Sequence, residues 1–291
     1  MAINTASPGS LFRAALKNPP LLIPGVFNAL SARLAERAGF RAVYQSGAAL
    51  SAGLALPDVG LVTQTEFAEQ GRYLASAVSI PVISDADTGF GEALAVERTV
   101  SLFESAGLAG LHLEDQQLPK RCGHLSGKSL VTRDQMVAKL KAAVAARRDA
   151  SFVIIARTDA RAVEGFDAAI ERAHAYVEAG ADMIFPEALE TPDEFGRFAQ
   201  EVQTPLIANM TEFGKSPLLS AQELVRLGFA AVLFPVTTLR VAMKAVEAAL
   251  GQIARDGTQK GLLDRMQTRA ELYELLDYEG FEERDRSYFG G

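Results

Sequence analysis

The sequence predicts an α/β fold, a (β/α)8 TIM-type barrel with extra C-terminal helices. Three observations predict it. First, helical stretches end in a small residue plus Gly, and a short apolar run follows. The pairs are Ala38-Gly39 before Val43-Tyr44, Ala106-Gly107 before Leu111-His112-Leu113, Ala179-Gly180 before Met183-Ile184-Phe185, and Leu227-Gly228 before Ala231-Val232-Leu233-Phe234. Glycine closes a helix by taking the left-handed conformation, and an unbroken apolar run suits a strand buried on both faces of a parallel sheet. Second, other apolar runs begin at a proline: Pro20-Leu21-Leu22-Ile23, Pro81-Val82-Ile83 and Pro205-Leu206-Ile207. A proline at the first strand residue loses no ladder bond. Third, these runs alternate with helical patterns, which implies right-handed crossovers and a parallel sheet.

In chain order the strands are expected near 21–25, 41–46, 81–87, 108–114, 152–158, 182–187, 205–209 and 230–235. Residues 28–38, 64–78, 92–106, 133–148, 167–179, 192–202 and 220–227 carry apolar residues at three- and four-residue spacing, so they read as helices. Thr132, Thr191 and Ser220 stand where N-caps belong. Two more helices are expected at 238–255 and 262–276. A doubly wound open sheet is the alternative. It usually carries a Gly-rich phosphate turn after its first strand, and Pro24-Gly25-Val26-Phe27 is not one. No Ser/Pro-rich stretch divides the chain, so residues 1–291 are expected to form a single barrel domain with a helical extension.

Composition narrows the function. The 291 residues are 48% apolar with 22% charged residues, which argues against disorder. A net charge of −7 without a basic block disfavours nucleic acid or anionic membrane as a partner. The one cysteine excludes an internal disulfide. No signal peptide or membrane span is readable, and a cytoplasmic protein is expected.

In a barrel, function collects where strands run into loops. The third strand ends Ser84-Asp85-Ala86-Asp87. Asp85 and Asp87 share a face, roughly 7 Å apart by strand geometry. The fourth ends His112-Leu113-Glu114-Asp115, where His112 and Glu114 share a face, and the sixth ends Phe185-Pro186-Glu187. His112 suits interior packing as well as chemistry. Asp115, on the opposite face, suits a structural pairing. If Asp85, Asp87, Glu114 and Glu187 meet at one rim, protons or a cation must relieve the repulsion. Oxygen ligands suit a hard cation, with magnesium the natural one. Arg157 ends the fifth strand, and Arg240 and Arg269 follow the eighth. Guanidinium groups bind carboxylates through two bonds at once. Cys122 lies in Lys120-Arg121-Cys122-Gly123-His124, where basic neighbours are expected to favour the thiolate.

Lys120-Arg121-Cys122-Gly123-His124 after His112-Leu113-Glu114-Asp115-Gln116 resembles the isocitrate lyase and phosphoenolpyruvate mutase superfamily, and its lyase branch in particular. The resemblance runs from Pro24 to Leu276. It takes in Tyr44-Gln45-Ser46-Gly47, Leu56-Pro57-Asp58, Asp85-Ala86-Asp87-Thr88-Gly89-Phe90-Gly91, Ala156-Arg157-Thr158-Asp159, Phe185-Pro186-Glu187-Ala188, Asn209-Met210-Thr211-Glu212-Phe213-Gly214 and Met266-Gln267-Thr268-Arg269. The last three motifs are similar to those of the enzymes that act on 2-methylisocitrate. The short chain agrees, because isocitrate lyases carry large insertions.

The resemblance implies a retro-aldol cleavage of 2-methylisocitrate to pyruvate and succinate, a step of propionate breakdown. It implies magnesium, or manganese in its place, held through Asp85, Asp87, Glu114 and Asp58, partly by water. Cys122 is the implied general acid, Arg157 its neighbour, and Tyr44 the candidate base. Ser46, Gly47, Ala48, Gly123, His124, Arg157, Glu187, Asn209, Thr211, Arg240 and Arg269 match substrate-binding positions for a di- or tricarboxylate. The family's barrel is usually tetrameric, with its eighth helix swapped between subunits, so a homotetramer is expected. A related lyase or decarboxylase on 2,3-dimethylmalate, isocitrate or oxaloacetate is the alternative. The Cys-Gly-His loop and the three arginines argue against decarboxylation.

Overall fold

Four helices end on glycines in the left-handed conformation, Gly39, Gly107, Gly180 and Gly228, with φ between 85° and 101°. Each releases the chain into a strand, as the pattern requires. The computed structural model describes residues 6–290. Its strands are β1 (Leu21–Val26), β2 (Val43–Gln45), β3 (Val82–Asp85), β4 (Gly110–Glu114), β5 (Val153–Thr158), β6 (Met183–Pro186), β7 (Ile207–Asn209) and β8 (Ala231–Phe234). All neighbouring strands are parallel, in the order β6-β5-β4-β3-β2-β1-β8-β7. The two ends of that row meet through a parallel bridge between Ile184 and Leu206, where the Ile184 N–H donates to the Pro205 carbonyl. The sheet therefore closes, as the predicted barrel demands.

The helices are α1 (Pro8–Leu16), α2 (Ala29–Arg37), α3 (Gly47–Gly53), α4 (Gln64–Ala77), α5 (Ala93–Ser105), α6 (Arg133–Ala146), α7 (Phe166–Glu178), α8 (Pro192–Glu201), α9 (Ala221–Arg226), α10 (Thr237–Asp256), α11 (Arg269–Leu275) and α12 (Tyr278–Tyr288). Thr132, Thr191 and Ser220 cap α6, α8 and α9 as expected, each accepting from a backbone N–H three residues on. The helix expected over 262–276 is two pieces: a 3-10 turn (Lys260–Arg265) and α11. Met266 is extended and Thr268 starts α11 afresh, in a capping box with Glu271. Sequence periodicity also missed α1, α3 and α12.

The apolar residues fall into two clusters. One fills the space between strands and outer helices. The other lies inside the barrel, built from Leu21, Ile23, Ile83, Ile155, Phe185 and Leu233, with Phe12 of α1 packed among them. Phe12 is fully buried.

The chain divides into two compact units, meeting between Leu239 and Arg240. The first holds the barrel. In the second, α11 packs on α12 with the rings of Tyr273 and Tyr278 stacked 4.5 Å apart. None of the residues of α10 is buried. Its Met243, Val246, Leu250 and Ile253 are exposed, at a spacing that puts them on one helical face. Among the described residues, no helix is long and apolar enough to cross a membrane.

Candidate active site

The ends of the strands bring the predicted residues to one mouth of the barrel. Tyr44, Ser46, Ala48, Asp58, Asp85, Cys122, Gly123, His124, Arg157, Glu187, Asn209 and Thr211 line one cavity, together with Lys120, Phe185, Leu233 and Pro235. Gly47 lies against Asp85: a Cβ there would stand 2.5 Å from Asp85 Oδ2. Ser46 caps α3 by accepting from the Ala49 N–H. That leaves the first N–H groups of this helix, those of Gly47 and Ala48, without partners inside it.

Asp85 and Asp87 are buried at the end of β3. Asp87 has a φ of 46°, a left-handed conformation that Asp tolerates, and its N–H donates to Asp85 Oδ1 at 2.9 Å. Lys120 reaches in from the loop after β4 and places its ammonium 2.6 Å from both Asp58 and Asp87. Sequence reasoning had counted Lys120 only as loop charge. Burial would strip its proton, but Glu114, Asp85, Asp87 and Asp58 raise its pKa well above the usual lysine value.

Arg157 is the other cationic centre. Its Nε stands 3.0 Å from Asp159, 3.4 Å from Glu114 and 3.6 Å from Glu187, and its guanidinium lies over the Phe185 ring. Glu187 faces it together with His124 Nε2 at 2.7 Å and Asn209 Nδ2 at 3.2 Å. Burial works to raise Glu187, yet Arg157, His124 and Lys128 hold it well below the carboxylate range. The Lys215 N–H donates to His124 Nδ1, which ties the cysteine loop to the loop after β7.

Tyr44 is buried below the mouth. Its hydroxyl is 2.9 Å from His112 Nε2 and donates to Asp85 Oδ2 at 3.3 Å. Burial and Asp85 push the phenol well above its ordinary value, so it rests protonated. Burial lowers His112 to about 4 against the pull of Asp85, so this imidazole rests neutral. Asp115 is structural, as expected. It accepts from Thr158, Tyr176, Arg172 and the Asp159 N–H.

Cys122 sits at the rim of the cavity, partly open to solvent. The expected thiolate is corrected here. Burial first and Glu187 next raise the thiol pKa above 9.0, against the pull of the His124 N–H and Arg157. The basic neighbours are already engaged, Lys120 by Asp58 and Asp87 and His124 by Glu187. The resting group is a thiol.

The four expected metal carboxylates divide into two pairs. Lys120 occupies Asp58 and Asp87. Glu114 is buried, and neither of its oxygens accepts a hydrogen bond. Burial raises its pKa well above the carboxylate range. Among the described residues, no three His, Cys, Asp or Glu side chains are gathered closely enough to cage a metal by themselves. Glu114, whose oxygens accept no hydrogen bond and have Arg157 as an ion-pair neighbour, together with Asp85, held below the ordinary carboxylate value, still fits a hard cation that keeps part of its water shell. Arg240 and Arg269 belong to the second unit, in α10 and at the first residue of α11.

Strand-end acids, a fixed guanidinium and a thiol on a closed parallel barrel define a barrel enzyme for an acidic small molecule. The model of the family described as Phosphoenolpyruvate phosphomutase matches residues 12–254. The chain is 53% identical to the 2-methylisocitrate lyase of Aeropyrum pernix over 279 residues, covering 96% of this chain and 90% of that one. The solved structure of a 2,3-dimethylmalate lyase superposes with a TM-score of 0.92 at 35% identity, covering 99% and 97% of the two chains. A phosphonopyruvate hydrolase solved with oxalate and Mg++ superposes at 0.89 with 34% identity, covering 98% and 100%. The chain belongs to the phosphoenolpyruvate mutase and isocitrate lyase superfamily, and it is a carbon–carbon lyase.

Proposed function

We propose that the enzyme cleaves 2-methylisocitrate into pyruvate and succinate by a retro-aldol reaction. The observation that carries this reading is that Cys122 lines one cavity together with Tyr44, Ser46, Asp85 and Arg157. Tyr44 takes the substrate hydroxyl proton. Because it rests protonated, it does so only as its own proton passes to His112 or Asp85, 2.9 and 3.3 Å away. The freed electron pair forms the pyruvate carbonyl. The carbon–carbon bond breaks, and its electrons stay on the succinate carbon. Cys122 delivers the proton that carbon needs, a task for a group that is protonated at working pH. Arg157 supplies fixed positive charge beside it, and Glu187, with His124 and Asn209, orients the loop.

Asp85 and Glu114 would hold a magnesium ion, and Asp87 and Asp58 would reach it through water. Its chemistry when bound is Lewis-acid polarisation of a substrate oxygen. Ser46, Gly47, Ala48 and Thr211 offer hydroxyl and backbone donors to carboxylates. Phe185, Leu233 and Pro235 form the apolar wall that would take the methyl group. Such a contact discriminates by only about 1–3 kcal/mol. The cysteine loop, with glycines at 123 and 127, is placed to move as substrate enters and to exclude water once it is bound.

The pathway is propionate catabolism in the cytoplasm, and the assembly is a homotetramer. The exposed apolar face of α10 supports a self-associating chain. A coupled assay for pyruvate tests the reading, with 2-methylisocitrate, isocitrate and 2,3-dimethylmalate supplied side by side. The expected result is a preference for 2-methylisocitrate that EDTA abolishes and Mg2+ restores. Faster turnover of 2,3-dimethylmalate would favour the alternative lyase.

A further inference from the structure

One buried lysine near the site has no part in the reaction described above. Lys128 closes the cysteine loop, and its side chain is 1% exposed. Its ammonium pairs with Asp159 Oδ1 at 2.6 Å and donates to the carbonyl of Gly123, the residue after Cys122. Asp159 is itself fully buried and bonded on both sides. Its N–H donates to Asp115 Oδ1, and Asp115 is bound by Thr158, Tyr176 and Arg172. Its other carboxylate oxygen takes the Arg157 Nε–H at 3.0 Å. Gly123 is pressed onto the same group: a Cβ there would stand 2.4 Å from Arg157 Nη2 and from Glu187 Cγ. A line of bonds thus runs from the core behind β5 through Asp159 and Lys128 to the backbone beside the thiol.

We propose that Lys128 and Asp159 form a clamp that positions Cys122 against Arg157, with Lys128 a positioning residue acting through the Gly123 carbonyl. An ammonium suits this task, because it donates several bonds from one compact centre. The catalytic consequence rests on the reading of Cys122 as the general acid, whereas the clamp itself does not. A misplacement of about 1 Å costs a reaction on the order of 100-fold.

The test is Lys128→Met. Cys122 is the one cysteine of the chain, so iodoacetamide alkylates that thiol alone, and its rate at the high-pH plateau, where the thiol is fully ionised, reports exposure separately from pKa. Freed from the clamp, the loop opens more often, and labelling is expected to quicken by about tenfold. kcat for pyruvate formation is expected to fall by about 100-fold, with KM changed far less. Should Asp159, left with Arg157 as its remaining cationic partner, keep this variant from folding, Lys128→Met/Asp159→Asn removes both charges of the clamp and takes its place, with labelling alone as its readout. A folded variant that labels at the wild-type rate overturns the clamp, whatever its stability. Faster labelling with unchanged kcat would sustain the clamp and remove Cys122 from the chemistry.

Discussion

At Cys122 two influences act on one proton. Burial and Glu187 hold it on sulfur, while the His124 N–H and Arg157 pull the other way, and the first pair wins. The expected consequence is a pH profile of iodoacetamide labelling with its midpoint above 9.0. A midpoint below 8 would mean that the loop's cations reach the thiol unspent. The same balance predicts that kcat is lost on the alkaline side, as pH rises through the raised thiol pKa and the acid form disappears. The strand alternation expected for Asp85 and Asp87 is corrected, because β3 ends at Asp85 and Asp87 sits in a left-handed turn that brings its N–H onto Asp85. The residue types were legible in the sequence, where glycine and basic residues marked Cys122. The cancellation of those charges was not. Lys120 finds Asp58 and Asp87 across 62 and 33 positions of chain, and no local pattern encodes such a pairing. His112 stayed ambiguous for the same reason: its role is set by the Tyr44 hydroxyl from another strand.

Among the elements, strands were read best, because a parallel strand buried on both faces is a continuous apolar run with punctuation at its ends. β4 and β5 lie within the stretches expected for them. The short α3 went unread because its residues, Gly47 to Gly53, are small and carry no amphipathic period. α1 is short as well, yet it contributes Phe12 to the interior of the barrel. Phe12→Ala should therefore cost about 3–5 kcal/mol, the usual penalty for emptying a buried aromatic site. Urea unfolding followed by circular dichroism checks it. A loss under about 1 kcal/mol would show that the site collapses around the smaller side chain or that α1 frays without consequence.

At the scale of the molecule, the barrel and the helical unit divide the work. The barrel carries the cavity and the acids, and its family membership makes the chain a carbon–carbon lyase. The helical unit carries Arg240, Arg269 and the exposed stripe of α10. If that stripe is covered by a second copy, Val246→Glu/Leu250→Glu will lower the mass in sedimentation toward that of the protomer. An unchanged mass would place the interface elsewhere. The sequence could signal the stripe, since its period is local, but not what lies against it.

In the proposed reaction one thiol supplies the proton that completes carbon–carbon cleavage. Cys122→Ser tests it most directly, with pyruvate and succinate measured from 2-methylisocitrate in the presence of Mg2+. A serine hydroxyl is a far weaker acid than the thiol it replaces, and loss of a well-placed acid costs about 100- to 10,000-fold. A fall of that size in turnover is expected, with an unchanged circular dichroism spectrum and melting temperature. Near-native turnover by the serine variant would contradict it.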